Sequence, residues 1–536
     1  MNKNIKIIAP VFLLLIVGSC KKSFLNETVF SAYAPETLKD SLGFEASVVG
    51  LQNQLSTFFS YSDNQGWPDV WQVGTDIAFA TQAQGIEVPY YNYITLGSAD
   101  LGASTTWSWA YKMINNCNIV IANVEDPALK GLAQASKNSF DGEARFFRAY
   151  AYNILATCFG KVPVISKPLT GPKTDFVRAP LDTVNALIME DLLFAATNLP
   201  DIDNVKSNSK GKMYSRPNKA MAQQLLAEAY LRMGKPDLAE VQCMAVINSG
   251  KFSLIQSRYG IKVGLPGDPF SDMFVYGNER RGQGNKEAIW VMEQENPNGV
   301  TGGITGSPQQ RRNWGAAYYQ IAGMVICDSL GGRGISRLRL SNWVLYGLYD
   351  ATDMRNSPWN LRRRFYYNDP TNANFGKPVP FNSADTVFKI MPHTTKWYQF
   401  DPNDVFGFAM VKDFILMRLG ETYLLLAEAQ FKQGKTTEAA ATLTTLRARS
   451  NASAVTAPQV TLDFILDERV RELVGEENRR MTLMRTGTLV TRTLALNSGS
   501  VLNPVTGLSA TNLLMPIPQS EIDLNKDAKL DQNPGY

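Results

Sequence analysis

Histidine is almost missing from this 536-residue chain, which carries only His393. Many hydrolases need a His as general base or metal ligand, so Ser-His-Asp arrangements and His-cluster metal sites are unsupported. His393 sits in a Pro-flanked loop and is expected to be a solvated side chain. The G-x-S-x-G elbow and the G-x-x-x-x-G-K-[ST] phosphate loop are also missing, and the Gly-rich pieces GGITG and GGRG lack a strand-to-helix context. Cysteine is scarce at 5. Apart from Cys20, the positions Cys117, Cys158, Cys243 and Cys327 have the spacing of neither a metal site nor a disulfide framework. The first three lie in helical, partly apolar stretches and are expected to be buried free thiols. After the first 19 residues no stretch is long and apolar enough to span a bilayer.

Charge of one sign is lacking too. The 53 Lys+Arg against 49 Asp+Glu give +4 overall, and Lys3 and Lys6 belong to the leader, so the remainder is nearer neutral. That gives no electrostatic case for nucleic acid. Arg362-Arg363-Arg364 beside Phe365, Tyr366 and Tyr367 superficially resembles a nucleic-acid patch, but a solvated face or salt-bridge cluster is the expectation. Asp401, Asn403 and Asp404 have the oxygens for calcium, yet a loop turn accounts for them, and no metal or cofactor is assigned. A glycosidase needs only two carboxylates, and nothing singles out a pair.

What is present is a helical hairpin from Met417 to Ser450. The stretch from Leu416 to Phe431 has apolar residues on nearly every face, as expected of a helix buried on several sides. Gly434 supplies a stop that takes the left-handed conformation cheaply. Thr436 or Thr437 is placed to cap the second helix. Small residues Ala427, Ala429, Ala439 and Ala440 allow close approach. The same hairpin occurs earlier: LLAEA at Leu225 to Ala229 recurs 200 positions on at Leu425 to Ala429, with Gly234-Lys235 and Ala239 in matching register. Alanines, turn Gly and Tyr230 loosely follow the tetratricopeptide pattern. A 200-residue offset is too long for a tandem period, so inserted material separates the hairpins.

In chain order, Met1 to Ser19 reads as an export signal, with Lys3 and Lys6, the apolar run Ile7 to Val17, and a small-residue cleavage site. Gly18-Ser19-Cys20 looks like a bacterial lipobox, which makes Cys20 the lipidated residue. Residues 36–60 read as an amphipathic helix, and helix resumes near Thr106. Asp141 to Ile165 gives a helix ended at Phe159-Gly160. Leu181 to Leu199 gives another, capped by Asp182. From Lys251 to Trp343 the helical period disappears, with Ala288 to Met292 the one strand-like piece. Trp343 to Tyr349 reads as a short helix, the following loops end near Asp413, and Leu462 to Arg485 reads as one charged helix. A Pro-rich tail closes the chain.

Aromatics stand in two irregular segments, Tyr61 to Gly102 and Lys251 to Trp343. Sugars present flat C–H faces that pack on rings, while a few placed polar groups meet their hydroxyls. The glycan-binding candidates are therefore Trp67, Trp71, Tyr90, Trp314, Tyr318 and Tyr319, with at least one of Trp67, Trp71, Trp314 and Tyr318 expected to touch ligand. Trp107 and Trp290 fit helix or strand patterns and are expected in the core.

Several stretches together carry a family resemblance. They are Cys20 followed by Phe24-Leu25, YKMINNCN (111–118), EARFFRAYAYNILATCFGKVPV (143–164), and the hairpin at 219–250. To these add Asp353-Met354-Arg355, RLGETYLLLAEA (418–429), ERVRELVGEENRRMTLMRTG (468–487) and the terminal LLMPIPQSEIDLNKDAKLDQNPGY. With these, the chain resembles the SusD/RagB family of Bacteroidetes lipoproteins almost end to end. It departs from the family pattern at Thr445, where Asn is usual, at Met481, where Trp is common, and at Lys21-Lys22, where acidic residues often follow the lipidated Cys.

The resemblance implies a mainly α fold, with four tetratricopeptide-like hairpins in a right-handed scaffold and a loop-rich, less regular lobe packed on it. The implied division is a lipoprotein signal at 1–19, an N-terminal helical half at 20–255, and a C-terminal half at 256–536 with ligand-facing loops and the last hairpin. It further implies a non-enzymatic glycan-binding protein, lipid-anchored at the outer membrane and facing the cell exterior. Such a protein delivers oligosaccharide to a SusC-like TonB-dependent transporter. The rival expectations are a surface glycoside hydrolase and a SusD-like scaffold handling peptides.

Overall fold

The computed structural model describes residues 39–60, 66–300, 303–304, 306–497 and 502–536. The leader, Cys20 and Lys21-Lys22 lie outside the described residues, as do positions 61–65. The fold is mainly α. Its first six long helices are α1 (Ser41–Phe59), α2 (Leu101–Val124), α3 (Gln134–Phe159), α4 (Leu181–Asn198), α5 (Lys219–Arg232) and α6 (Pro236–Ile247). Each packs on the next in chain order. Starts are set by side chains that satisfy free backbone N–H groups: Asp40 accepts from Gly43 at 2.6 Å, Asp100 from Ala103 at 2.7 Å, and Asn218 caps α5. Asp182 is not a cap. Helix α4 begins at Leu181 after Pro180, without a side-chain bond to its first amides.

The second hairpin, α7 (Leu419–Lys432) and α8 (Thr436–Arg449), returns to the first, with α7 lying against both α5 and α6. Ala227, Ala239, Ala427, Ala429 and Ala439 are fully buried, as close helix approach requires. Gly234 and Gly434 both turn with positive φ, 71° and 76°. Neither Thr436 nor Thr437 caps α8, because the helix starts directly after Lys435 with no side-chain bond. Helix α7 also starts later than its apolar pattern extends. Phe414–Arg418 is a strand, paired antiparallel with Ala288–Met292. Arg418 ends it in extended backbone and buries its guanidinium among Glu287, Glu472 and Glu476.

The charged stretch after the hairpin is two helices rather than one, α9 (Leu462–Leu473) and α10 (Arg479–Arg485). Gly475 takes φ 79°, and Lys396 and Arg418 both donate to the carbonyl of Glu472, 2.7 Å each. The Glu472 carbonyl at the end of α9 is thereby met from outside the helix, and the chain turns. The terminal tail docks on the end of α3, where Asn533 donates to the carbonyls of Phe159 and Met515 at 3.1 and 2.8 Å.

The two aromatic-rich segments are tied together by the antiparallel pair Ala78–Ala80 and Leu338–Leu340. The segment after Gly315 forms a lobe with its own apolar cluster, including Ala316, Tyr318, Met324, Phe365 and Met391. Between residues 343 and 347 the short helix is a π-type turn. Cys117, Cys158 and Cys243 are buried free thiols and Cys327 is half-buried. Among the described residues no helix is long and apolar enough to cross a membrane.

Candidate functional site

The lobe is organised around one short turn, Tyr318–Gln320. Tyr318 anchors it from inside: its hydroxyl donates to the carbonyl of Gly332 at 2.9 Å and accepts from the amide of Cys327 at 3.2 Å. Burial pushes the Tyr318 phenol well up, so it stays protonated. Successive side chains of a tight turn point apart. Tyr319 is accordingly half-buried and Gln320 exposed.

On one side of the turn Tyr319 meets Phe406 edge-on, with ring centroids 6.1 Å apart. Phe406 and Phe408 are 61% and 57% exposed, which is unusual for rings of that size and leaves two faces to solvent. Their loop is held by its backbone rather than by the rings. Arg311 donates to the carbonyl of Gly407, and Arg333 to that of Phe406, at 2.6 Å each, while the Met410 amide bonds the carbonyl of Pro308 at 2.9 Å. The Arg333 guanidinium lies 5.8 Å from the Phe406 centroid and 5.1 Å from that of Phe408, and Arg312 lies 4.4 Å from Phe408. Both are cation–π distances.

On the other side Gln320 and Ile321 line an open groove of about 740 Å³ with Tyr367, Phe381, Asp385 and Lys389. Phe381 stands 80% exposed on its rim, and Lys389 pairs with Asp385 at 3.6 Å. Rings beside amide, hydroxyl and charged groups are the elements a sugar site needs.

The six sequence candidates fare differently. Trp67, Trp71, Tyr90, Trp314 and Tyr318 are each at most 2% exposed and pack in apolar clusters. Trp67 packs edge-on against Phe58 and donates its indole N–H to the Phe58 carbonyl, and Trp71 stacks on Phe58. Tyr90 bonds Asp100 at 2.6 Å beneath the Arg480 guanidinium. These five anchor their loops to the scaffold and offer no open ring face, which corrects the expectation that a loop Trp is a platform. Tyr319 alone of the six keeps accessible surface in the lobe. Trp107 and Trp290 lie in the core.

Two further expectations are adjusted, for His393 and the Arg362 run, and the loop turn at Asp401 holds. His393 is not solvated. It is buried, its Nδ1 is 2.7 Å from the Met391 carbonyl and its Nε2 2.9 Å from the Tyr398 hydroxyl. Burial lowers it to about 4. Arg362 and Arg363 serve as ties between loops, donating to the carbonyls of Ser329 and Leu345. Asp401 accepts from the Asn403 amide at 2.8 Å, an Asx turn. Among the described residues no group of three or more His, Cys, Asp and Glu is placed to hold a metal.

Sequence reasoning missed Phe381, Phe406, Phe408 and Arg333. A signal existed in DPNDVFGF: apolar rings inside a polar, turn-rich run with neither strand nor helix period.

Comparison with known proteins fits this architecture. Residues 338–536 match the model described as SusD family, and residues 38–231 the model described as starch-binding, associating with outer membrane. SusD-like protein P25 of Formosa agariphila is 24% identical over 545 residues, spanning 97% of this chain and 96% of its own. Starch-binding protein SusD of Bacteroides thetaiotaomicron is 36% identical over 125 residues, 23% of this chain and 22% of its own. Among solved structures, a laminarin binding SusD-like protein superposes with a TM-score of 0.67 at 21% identity, covering 93% of this chain and 100% of that one. The chain therefore belongs to the SusD/RagB family.

Proposed function

We propose that the protein is a non-enzymatic glycan-binding lipoprotein of the outer membrane, which captures oligosaccharide and passes it to a SusC-like TonB-dependent transporter. The observation that carries the binding part is the group of open rings Tyr319, Phe406, Phe408 and Phe381 set around one turn among polar side chains. Loops positioned by a packed scaffold are a common place for recognition, and here the scaffold is the helical array. The starch-binding and laminarin-binding names of relatives support the same reading. The lipobox ending at Cys20 supports the anchor, and the outer-membrane description of the N-terminal family model supports the location. Lipidation of Cys20 and the surface-facing orientation are part of the proposal.

Calorimetric titration of the purified chain against a panel of oligosaccharides tests it, with reducing ends assayed in parallel. The expected result is saturable binding to at least one glycan without release of new reducing ends. Steady accumulation of reducing ends would make the protein a hydrolase. Co-purification of a TonB-dependent transporter with the membrane-anchored chain tests the partner.

A further inference from the structure

Most buried arginines of this chain are matched to carboxylates. Arg418 reaches Glu287, Glu472 and Glu476, Arg355 reaches Asp353, Glu468 and Glu472, and Arg479 and Arg492 share Asp76. Burying an unpaired guanidinium is costly, so such pairing is the ordinary outcome. Buried Arg339 and Arg480 do without a carboxylate by donating to several carbonyls, an amide oxygen or a hydroxyl, whereas buried Arg312 and half-buried Arg333 have fewer such partners. Among the described residues neither has a carboxylate partner at ion-pair distance.

Arg312 is 4% exposed, donates to Gln309 Oε1, and leaves its Nε without a hydrogen-bond partner among the described residues. Arg333 spends Nη1 on the Phe406 carbonyl and approaches the Tyr319 hydroxyl with Nε at 3.5 Å, and among the described residues no bond takes its Nη2. Both guanidinia lie against the open ring of Phe408. Burial first, then the neighbouring Arg333 and Arg311, pull Arg312 down to about 10. It remains a cation at neutral pH in a locally positive field. The nearest acids of the loop, Asp404 and Asp401, act on Arg311, whose own Nη groups are taken up by Gln399 and the Gly407 carbonyl.

We propose that the glycan held at Tyr319, Phe406 and Phe408 is anionic, a uronate-containing or sulfated chain whose acid groups meet Arg333 and Arg312. This rests on the glycan-binding reading above and adds the charge of the ligand to it. A planar guanidinium matches carboxylate or sulfate oxygens in a two-point geometry, while the phenylalanine faces take the C–H surface of the sugar ring. A neutral sugar would use the rings and leave both cations unmatched. An acidic one satisfies rings and cations together.

The test is calorimetry with three probes: an oligogalacturonate, a sulfated galactan oligomer and a neutral laminarin oligomer, each over a salt series. At least one acidic probe should bind about tenfold or more tightly than laminarin oligomer, and that binding should weaken as salt rises. Arg333→Ala should remove about tenfold of the acidic probe's affinity, and Arg333→Lys should retain part of it, with circular dichroism melts confirming a folded protein. Laminarin bound as tightly as both acidic probes and indifferent to Arg333→Ala would overturn the anionic assignment and leave glycan binding standing. Acidic binding unaffected by Arg333→Ala overturns it as well. Failure of all three probes, and of the wider glycan panel, would overturn both readings.

Discussion

Thr422 donates its hydroxyl to Gln224 Oε1 at 2.7 Å, across 198 positions of chain. The Gln224 amide in turn donates to Glu421 at 3.0 Å. The two hairpins that share LLAEA are thus neighbours in space, and the chain between them is carried away from the array and back.

That contact makes the scaffold testable. Gln224→Ala leaves the Thr422 hydroxyl unmatched in a buried site and should cost ~1–3 kcal/mol. Ala227→Leu, Ala427→Leu and Ala439→Leu should each cost ~1–3 kcal/mol by overpacking fully buried positions. Denaturant titration of the four variants reads this directly. Midpoints equal to the parent's in all four would be incompatible with the packing described.

The hairpins were legible because helix periodicity and turn glycine act locally, and because the LLAEA repeat carries its own register. The break between α9 and α10 was not, since there Lys396 and Arg418 reach the Glu472 carbonyl from distant segments. The same holds for Arg418 itself, whose partners Glu287 and Glu472 lie far away in sequence. Five of the six aromatic candidates are buried for a related reason. Composition says that Trp67 and Trp314 sit in irregular segments, but irregular backbone is not the same as exposed side chain. Bulky rings in long loops are what bury the loop, and Phe406 and Phe408 stay outside on a loop that Arg311 and Arg333 hold by its backbone.

Two acid transitions should be separable. Burial raises the Glu428 carboxyl, but Arg485, bonded to both its oxygens at 2.7 Å, outweighs burial and holds it at about 2, against 4.5 ordinarily. A carboxyl depressed in this way stabilises the fold above pH 4.5 and loses that contribution as pH falls toward 2. His393 is lowered by burial to about 4 from 6.5. The unfolded chain takes that proton first, so stability falls from pH 6.5 to 4 and is then level. Each window is worth on the order of 3 kcal/mol. His393→Asn should flatten the upper window. Arg485→Met should destabilise strongly at neutral pH and much less near pH 2. Denaturation midpoints measured across pH check both. An upper window as steep in His393→Asn as in the parent would rule out the first.

Tethering gives a simpler test. Cys20→Ala should move the protein out of the membrane fraction, since no helix among the described residues is long and apolar enough to cross a membrane. One acyl chain binds only marginally, so a multiply acylated Cys is expected. Retention of the variant on membranes after a salt wash would contradict the lipobox, and protease shaving of intact cells would test which face it occupies.

The last expectation separates rings that fold the protein from rings that meet ligand. Trp67 is enclosed by Phe58 and Trp71, so Trp67→Ala should open a cavity and cost ~3–5 kcal/mol. Trp314→Ala belongs with it, being equally buried. Phe406 and Phe408 lose little packing when truncated, since more than half of each is already in water. Phe406→Ala and Phe408→Ala should therefore leave the melting temperature within a few degrees of the parent. Each removes a stacking face worth roughly 0.5–1.5 kcal/mol beyond its area, which lowers glycan affinity several-fold. Tyr319→Phe keeps the ring and removes the hydroxyl near Arg333, so its effect should be smaller than that of Tyr319→Ala. Calorimetry beside thermal melts on the same preparations resolves the two groups. Unchanged affinity in Phe406→Ala, Phe408→Ala and Tyr319→Ala, together with a loss in Phe381→Ala, would move the sugar from the Arg333 side of the turn into the groove.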